Sequence, residues 1–441
     1  MADNHKVMKD QTGQEINKTG RDINETLREI RNALMPREAG TIYGFHINSS
    51  ESDPEDCVTY LADAAGMTPA HMDFTADKFN WGGWRDAFFL PRPCMLKYDG
   101  TVDYYLDPND YSKKYDGVSA SDIANASYGG NAMMEWGQNG KKIWYKIVPD
   151  SGDVSSASIY IADYQVDDDF VAWSFINSQG EWVDHFYTPI YNGSLDTNGK
   201  LRSLSGIAAG SICQSKTAAQ EVAAAELNNP GTDKLWYIET FADTTLILIL
   251  LILMGKSLDC QSTFGNGRIN NSSNMIGTGT MNTKGLFWGS NGNNDGVKVF
   301  GIENFWGNQW HRTAGLVSVD LVTKYKMTRG TEDGSSAGDY VVSTTGSDYS
   351  GYLTGPTLPS SNNYVSKMSF TPDMFITKEV SGTSATYWCD YFYQASGCRF
   401  ALRGGASTNG ANAGAFYFAL YSAASYAAWD IGAAPSCKPL S

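Results

Sequence analysis

The sequence predicts an α+β, β-rich fold: a short N-terminal coiled coil followed by a β-rich body. Three observations carry this. First, the 441 residues include 45 Gly, 25 Tyr, 19 Phe and 12 Trp, with only 18% charged residues. Many aromatics beside many glycines point to short strands, tight turns and ordered loops. Second, apolar residues alternate with polar ones over short runs, as in Tyr43, Phe45 and Ile47, which places one set on one strand face. Third, Ile16, Ile23 and Ile30 recur every seventh position near the start, with Leu27 and Leu34 as a second row, which is a heptad seam.

In chain order, residues 1–36 read as the coiled-coil helix. Gly20 interrupts its seam and Pro36 ends it. A lone amphipathic helix of this length is marginal, so self-association is expected, as a homotrimer. Residues 37–200 read as a β-rich domain, with further strands at 102–106, 143–147, 159–161 and 170–173. Residues 201–330 read as a central domain with a helix over 217–227. A second helix is expected from Lys234 into the apolar run 246–254, which is too short to span a bilayer and is expected to be buried. The Gly/Asn/Ser/Thr-rich stretch 260–295 reads as ordered loops around Phe287 and Trp288. Residues 331–441 form the last expected domain.

The formal net charge of −15 repels phosphate, so neither nucleic acid nor anionic lipid is an expected partner, and with so short an apolar run no membrane insertion is expected. The start of the chain has no apolar leader, so export by a signal peptide is not expected. The seven cysteines have no CxxC spacing, which favours reduced, buried thiols over a metal or redox motif. Whether Cys389 and Cys398 pair across a hairpin is left open by their spacing. The five histidines show no HxH or HExxH spacing, and His311 beside Trp310 reads as a packed residue. No metal, cofactor or catalytic residue is expected. Asp167-Asp168-Asp169 reads as a solvated turn. Residues 291–296 start like a calcium loop, but the leading Asp is missing and Ile302 stands where the bidentate Glu belongs.

Gly301-Ile302-Glu303-Asn304-Phe305-Trp306-Gly307-Asn308-Gln309-Trp310 resembles the GxEN-W-GN-W segment of the superfamily that holds formylglycine-generating-enzyme-like and C-type-lectin-like domains. The resemblance implies a long irregular loop whose Trp side chains seat it on a small sheet. It also implies Asn side chains that pair the loop backbone. Tyr43-Gly44-Phe45, Val58-Thr59-Tyr60, Pro93-Cys94-Met95-Leu96 and Met134-Glu135-Trp136 are similar to segments of tail-associated phage and prophage proteins.

At the C-terminus, Arg403-Gly404-Gly405, Ala411-Asn412-Ala413-Gly414-Ala415-Phe416-Tyr417-Phe418 and Trp429-Asp430-Ile431-Gly432 resemble the variable region of proteins diversified by retroelements carried by many phages. That region has a C-type-lectin-like fold. The resemblance implies mutated adenines, which turn Asn codons into many others but never into Lys, Glu, Gln, Met or Trp. Between Arg403 and Ser436 there is no Lys, Glu, Gln or Met, and the single Trp is Trp429.

Periodicity adds its own expectation. Phe416, Phe418 and Leu420 alternate with Tyr417, Ala419 and Tyr421. Ala427, Trp429 and Ile431 alternate with Tyr426, Ala428 and Asp430. The first set of each pair is expected inward and the second outward. Ala406, Ser407, Thr408, Ala419, Tyr421, Ser422, Tyr426, Ala428 and Asp430 are therefore expected to be varied, solvent-facing, ligand-binding positions, bordered by Tyr391 and Tyr393.

The function implied is that of a non-enzymatic phage receptor-binding adhesin at a tail fibre or tail tip. It would be assembled in the host cytoplasm, carried on the virion beside other tail proteins, and directed at a bacterial surface protein or glycan. The alternatives are a formylglycine-type oxidase, a prophage glycan depolymerase and a fixed-specificity bacterial lectin. The oxidase lacks a recognisable reactive cysteine pair, and the usual EPN or QPD sugar-binding triplets are missing.

Overall fold

The apolar run at 246–254 organises the molecule. In the computed structural model, which describes residues 40–212, 215–327 and 352–440, it belongs to a helix, Phe241–Gly255, whose residues are all buried. A helix apolar on every side has no face to offer water and must sit inside the protein. Thr240 caps its start by accepting from the Asp243 amide at 3.2 Å, and Lys256 in the left-handed region ends it. Among the described residues no helix is long and apolar enough to cross a membrane.

Three sheets enclose this helix. The first is antiparallel, ordered Val58–Ala62, Ile42–Ile47, Asp153–Ala162 and Trp144–Asp150. Phe45, Ile47, Tyr145, Ile147, Ile159 and Ile161 turn inward from it. The second runs Trp236–Ile238, Pro435–Cys437, Phe186–Pro189, Gly130–Trp136, Arg92–Lys97, Val102–Asp107 and Asp110–Lys114. The third runs Leu353–Thr357, Val322–Tyr325, Trp310–Val319, Cys398–Arg403, Phe418–Leu420, Tyr391–Gln394 and Asn363–Tyr364, with Ile431–Gly432 parallel to the start of Trp310–Val319. Inward-facing residues of all three join the helix in one apolar cluster, and the Phe241 and Phe418 rings meet edge to face at 6.0 Å.

The β-rich class, the helix near 217–227 (Ala218–Glu226) and the buried run agree with the sequence reading. Residues 260–295 are ordered loops after a short helix, Cys260–Phe264. The expected coiled coil of residues 1–36 lies outside the described residues. Two expectations are corrected. The stretch after Lys234 begins not as a helix but as the strand Trp236–Ile238, because it pairs with Pro435–Cys437. The boundaries expected near 200 and 330 do not separate bodies. The described residues from 42 onward fall in one compact unit, since the second sheet takes strands from positions 92 to 437 and the third from 310 to 432.

The helix is the centre of the core, so trimming it should be costly. Ile249→Ala is expected to destabilise the protein by about 2–5 kcal/mol, read as a lowered urea midpoint with an unchanged slope.

Candidate functional site

The GIENFWGNQW segment does structural work at the base of the C-terminal region. The Glu303 carboxylate accepts the Gly279 and Met281 amides at 2.8 and 2.9 Å. Asn308 Oδ1 accepts the Ile276 amide at 2.8 Å, and its side-chain amide donates to Ile276 O and to Asn192. Asn304 also donates to Asn192, at 3.0 Å, and the Trp306 indole donates to Gly265 O at 3.2 Å. Side chains here pair loop backbone that has no ladder of its own.

Beneath it lies a buried charge cluster. Glu239 accepts from Arg403 through one oxygen and meets His311 Nδ1 at 3.0 Å through the other. Both partners reach further: Arg403 donates to Phe305 O at 2.7 Å, and His311 Nε2 lies 2.8 Å from Asn304 O. Burial pushes the Glu239 carboxyl up, but the Arg403 and His311 charges outweigh it and hold the group down at about 2.

The outer face of the third sheet carries the candidate site. Register places Tyr393 beside Ala419 and Ala419 beside Leu402. Tyr417 stacks edge-on against Trp310 at 4.6 Å and against Tyr391 at 5.9 Å. Tyr364 meets Tyr391 at 5.3 Å and donates to Asn412 Oδ1 at 2.7 Å. Two loops fold over this face. Residues 404–414 are seated on the GIENFWGNQW segment, through Gly307 N to Gly404 O at 3.1 Å and Ser407 N to Asn308 O at 3.2 Å. The two glycines of Arg403-Gly404-Gly405 hold φ at +85° and +77°, a region that costs other residues strain. Gly414 is required for a different reason: a Cβ there would sit 1.8 Å from the Asp390 carboxylate.

The second loop, residues 421–430, is held at every other main-chain oxygen. Phe400 N donates to Ser422 O at 2.9 Å, Ala218 N to Ala424 O at 2.9 Å, and Ser215 N to Ala428 O at 2.8 Å. Trp310 N donates to Asp430 O at 2.8 Å. The Arg312 guanidinium donates to Tyr426 O at 3.1 Å. The scaffold grips the backbone, and Tyr421, Tyr426 and Trp429 stand 48%, 51% and 40% exposed. Tyr421 rests against Tyr393 at 4.6 Å. Residues 404–429 carry no charged side chain. Asp430 is the one acidic side chain of residues 404–430, and burial pushes its carboxyl up.

The structure separates the expected ligand positions into three groups. Thr408, Tyr421 and Tyr426 are exposed, as expected. Ala428 and Asp430 are half-buried. Ala406, Ser407, Ala419 and Ser422 are buried, contrary to expectation. Strand alternation does put Ala419 on the outer face, but that face is covered. Ala406 and Ala419 join Trp310, Leu402, Tyr417 and Ile431 in a small second apolar layer under the loops. Ser407 is fixed by donating to Ser272 O at 2.7 Å. The alternation expected over 426–431 also fails. Only Ile431–Gly432 is strand there, and Trp429 and Ala427, expected inward, are exposed. Trp429 therefore joins the candidate surface, as does Tyr364 at its edge. Its single Trp among small residues was the available signal, whereas nothing in the sequence ties Ser215, Ala218 or Arg312 to this loop.

Among the described residues no three His, Cys, Asp or Glu side chains gather to hold a metal ion. Cys57, Cys94, Cys260 and Cys389 are buried thiols, and burial pushes the Cys57 thiol up to about 12, away from nucleophilic use at neutral pH. Compared with known proteins, the chain matches no family model and no curated sequence.

Two measurements test this anatomy. Tyr426→Ala should leave thermal stability within about 0.5 kcal/mol of the parent, whereas Ala419→Leu should cost about 1–3 kcal/mol by overpacking the second layer. Glu239 is ionised in the fold well below the ordinary glutamate value of 4.5, so its contribution is present above that pH and is lost as pH falls toward about 2. Glu239→Gln should cost about 3–5 kcal/mol at neutral pH, because Arg403 and His311 are left buried beside a neutral group. It should also flatten the fall in stability across that acid window in denaturant titrations.

Proposed function

We propose that the chain is a phage receptor-binding adhesin whose C-terminal region binds a bacterial surface protein or glycan through the loop surface of Tyr421, Tyr426 and Trp429, bordered by Thr408, Tyr393 and Tyr391. The single observation that carries this reading is the scaffold's grip on the main-chain oxygens of residues 421–430, with large aromatic side chains left to solvent. A site of this kind keeps its shape while its side chains change. That is what a retroelement-diversified, C-type-lectin-like region requires, and it fits the resemblance of the C-terminal motifs. Exposed Tyr and Trp supply large, rigid contact area at low entropic cost, and such residues dominate binding energies. The surrounding Ala, Ser, Gly and Asn add little bulk and varied hydrogen bonding.

In this reading the protein sits on the virion tail with other tail proteins, and the heptads of residues 1–36 assemble it as a homotrimer. Several copies on one particle turn modest single-site affinity into firm attachment, because each bound copy raises the local concentration of the next site. The region carries out no chemistry of its own; its work is recognition.

The test uses the full chain, fluorescently labelled, against intact cells of a panel of bacterial strains. The parent should bind one or more strains, and the Tyr421→Ala/Tyr426→Ala double variant should bind those strains at least about tenfold more weakly with an unchanged melting temperature. Equal binding by parent and double variant would overturn the reading.

A further inference from the structure

We propose that Arg312, held by Glu221, is a positioning residue for the binding loop: from inside the protein it fixes the main chain at Tyr426 and with it the spacing of Tyr421, Tyr426 and Trp429. The proposal rests on the reading of that loop as the ligand site.

Residues 215–218 and 424–428 run past each other in opposite directions. Ser215 N bonds Ala428 O at one end, and Ala218 N bonds Ala424 O at the other. Between these two links the pattern fails. Lys216 and Tyr426 each turn a carbonyl oxygen toward the same place, and two facing carbonyls repel. The Arg312 Nη2 amino group fills the gap, donating to Lys216 O at 3.0 Å and to Tyr426 O at 3.1 Å. A planar guanidinium nitrogen with two protons serves two acceptors at once. Its position is set by Nε, which donates to Glu221 Oε2. Glu221 in turn is fixed on the helix Ala218–Glu226, whose start is locked by reciprocal bonds between Thr217 and Gln220.

Two further observations favour positioning over simple stabilisation. Both side chains are wholly buried, and such a pair rarely gains stability over apolar residues of similar volume. Moreover, Arg312 Nη1 and Glu221 Oε1 have no hydrogen-bond partner among the described residues, so the pair is not satisfied for its own sake. The one amino group that leaves the pair, Nη2, bridges Lys216 O and the loop at Tyr426 O. Arg312 also sits where the pairing of Trp310–Val319 with Cys398–Arg403 breaks: Arg312 faces Leu402, and the next paired residue is Val317, opposite Phe400. Irregularities of this kind re-aim a side chain away from the regular ladder.

The experiment compares the parent with an Arg312→Met/Glu221→Leu variant, which removes both charges and keeps apolar volume, and with Arg312→Lys, which keeps the charge but not the planar amino group. Hydrogen exchange is followed for the amides of residues 423–428 and, as an internal reference, for those of the helix Phe241–Gly255. Binding is measured on the strains that the parent binds. Loop exchange should rise at least about tenfold in both variants with the helix reference unchanged, and cell binding should fall. Loop exchange within about twofold of the parent would overturn the proposal. So would faster exchange with full binding, provided the Tyr421→Ala/Tyr426→Ala variant does lose binding. If that variant binds like the parent, the ligand site lies elsewhere and the reading of the loop fails, while the exchange data still decide what Arg312 does.

Discussion

Glu239 lies at the point where the C-terminal half of the protein is joined. One carboxylate takes Arg403 from one strand and His311 from its neighbour. Those two side chains then hold the main chain at Phe305 and Asn304. Strand, strand and loop are tied to one negative charge that has left water. A buried carboxylate is tolerable only when its partners neutralise it, so the three residues act as a unit. Everything above them depends on this junction: the GIENFWGNQW segment, the Arg403-Gly404-Gly405 turn that follows, and the loops laid over the sheet.

Above that junction the protein solves one problem twice. Loops over a sheet expose amides and carbonyls that need partners. For residues 404–414 the partners come from the GIENFWGNQW segment. For residues 421–430 they come from strand amides, the start of a helix and one guanidinium. In the second case the anchoring falls on the main chain. Tyr421 and Tyr426 are left exposed, while Ala419 is confined by packing.

Much of this was legible in the sequence. Composition and short alternation gave the β-rich class, and an apolar run without a polar side marked the central helix. The motif around Glu303 and Asn308 marked a loop anchor, and the observed bonds are of that kind. Alternation also put Phe418 and Leu420 inward, where a real strand exists. It failed at Ala419, since period-two reasoning assigns a side chain to a face but cannot say whether another segment covers that face. It failed at Trp429, since a segment held by distant donors need not be a strand. Arg312 and Glu221 were invisible for a simpler reason: 91 residues separate them, and nothing local marks either as a partner of the loop.

The spacing of the anchors on residues 421–430 has a consequence for how such a surface can change over generations. Oxygens of even-numbered residues meet the scaffold, so the register of the chain is counted in pairs. Exchanging one amino acid for another leaves that count intact. Inserting or removing a single residue would turn the wrong set of carbonyls toward the waiting amides and leave several buried groups without partners. On the reading proposed above, diversity here would therefore come from rewriting letters, not from altering the length of the word.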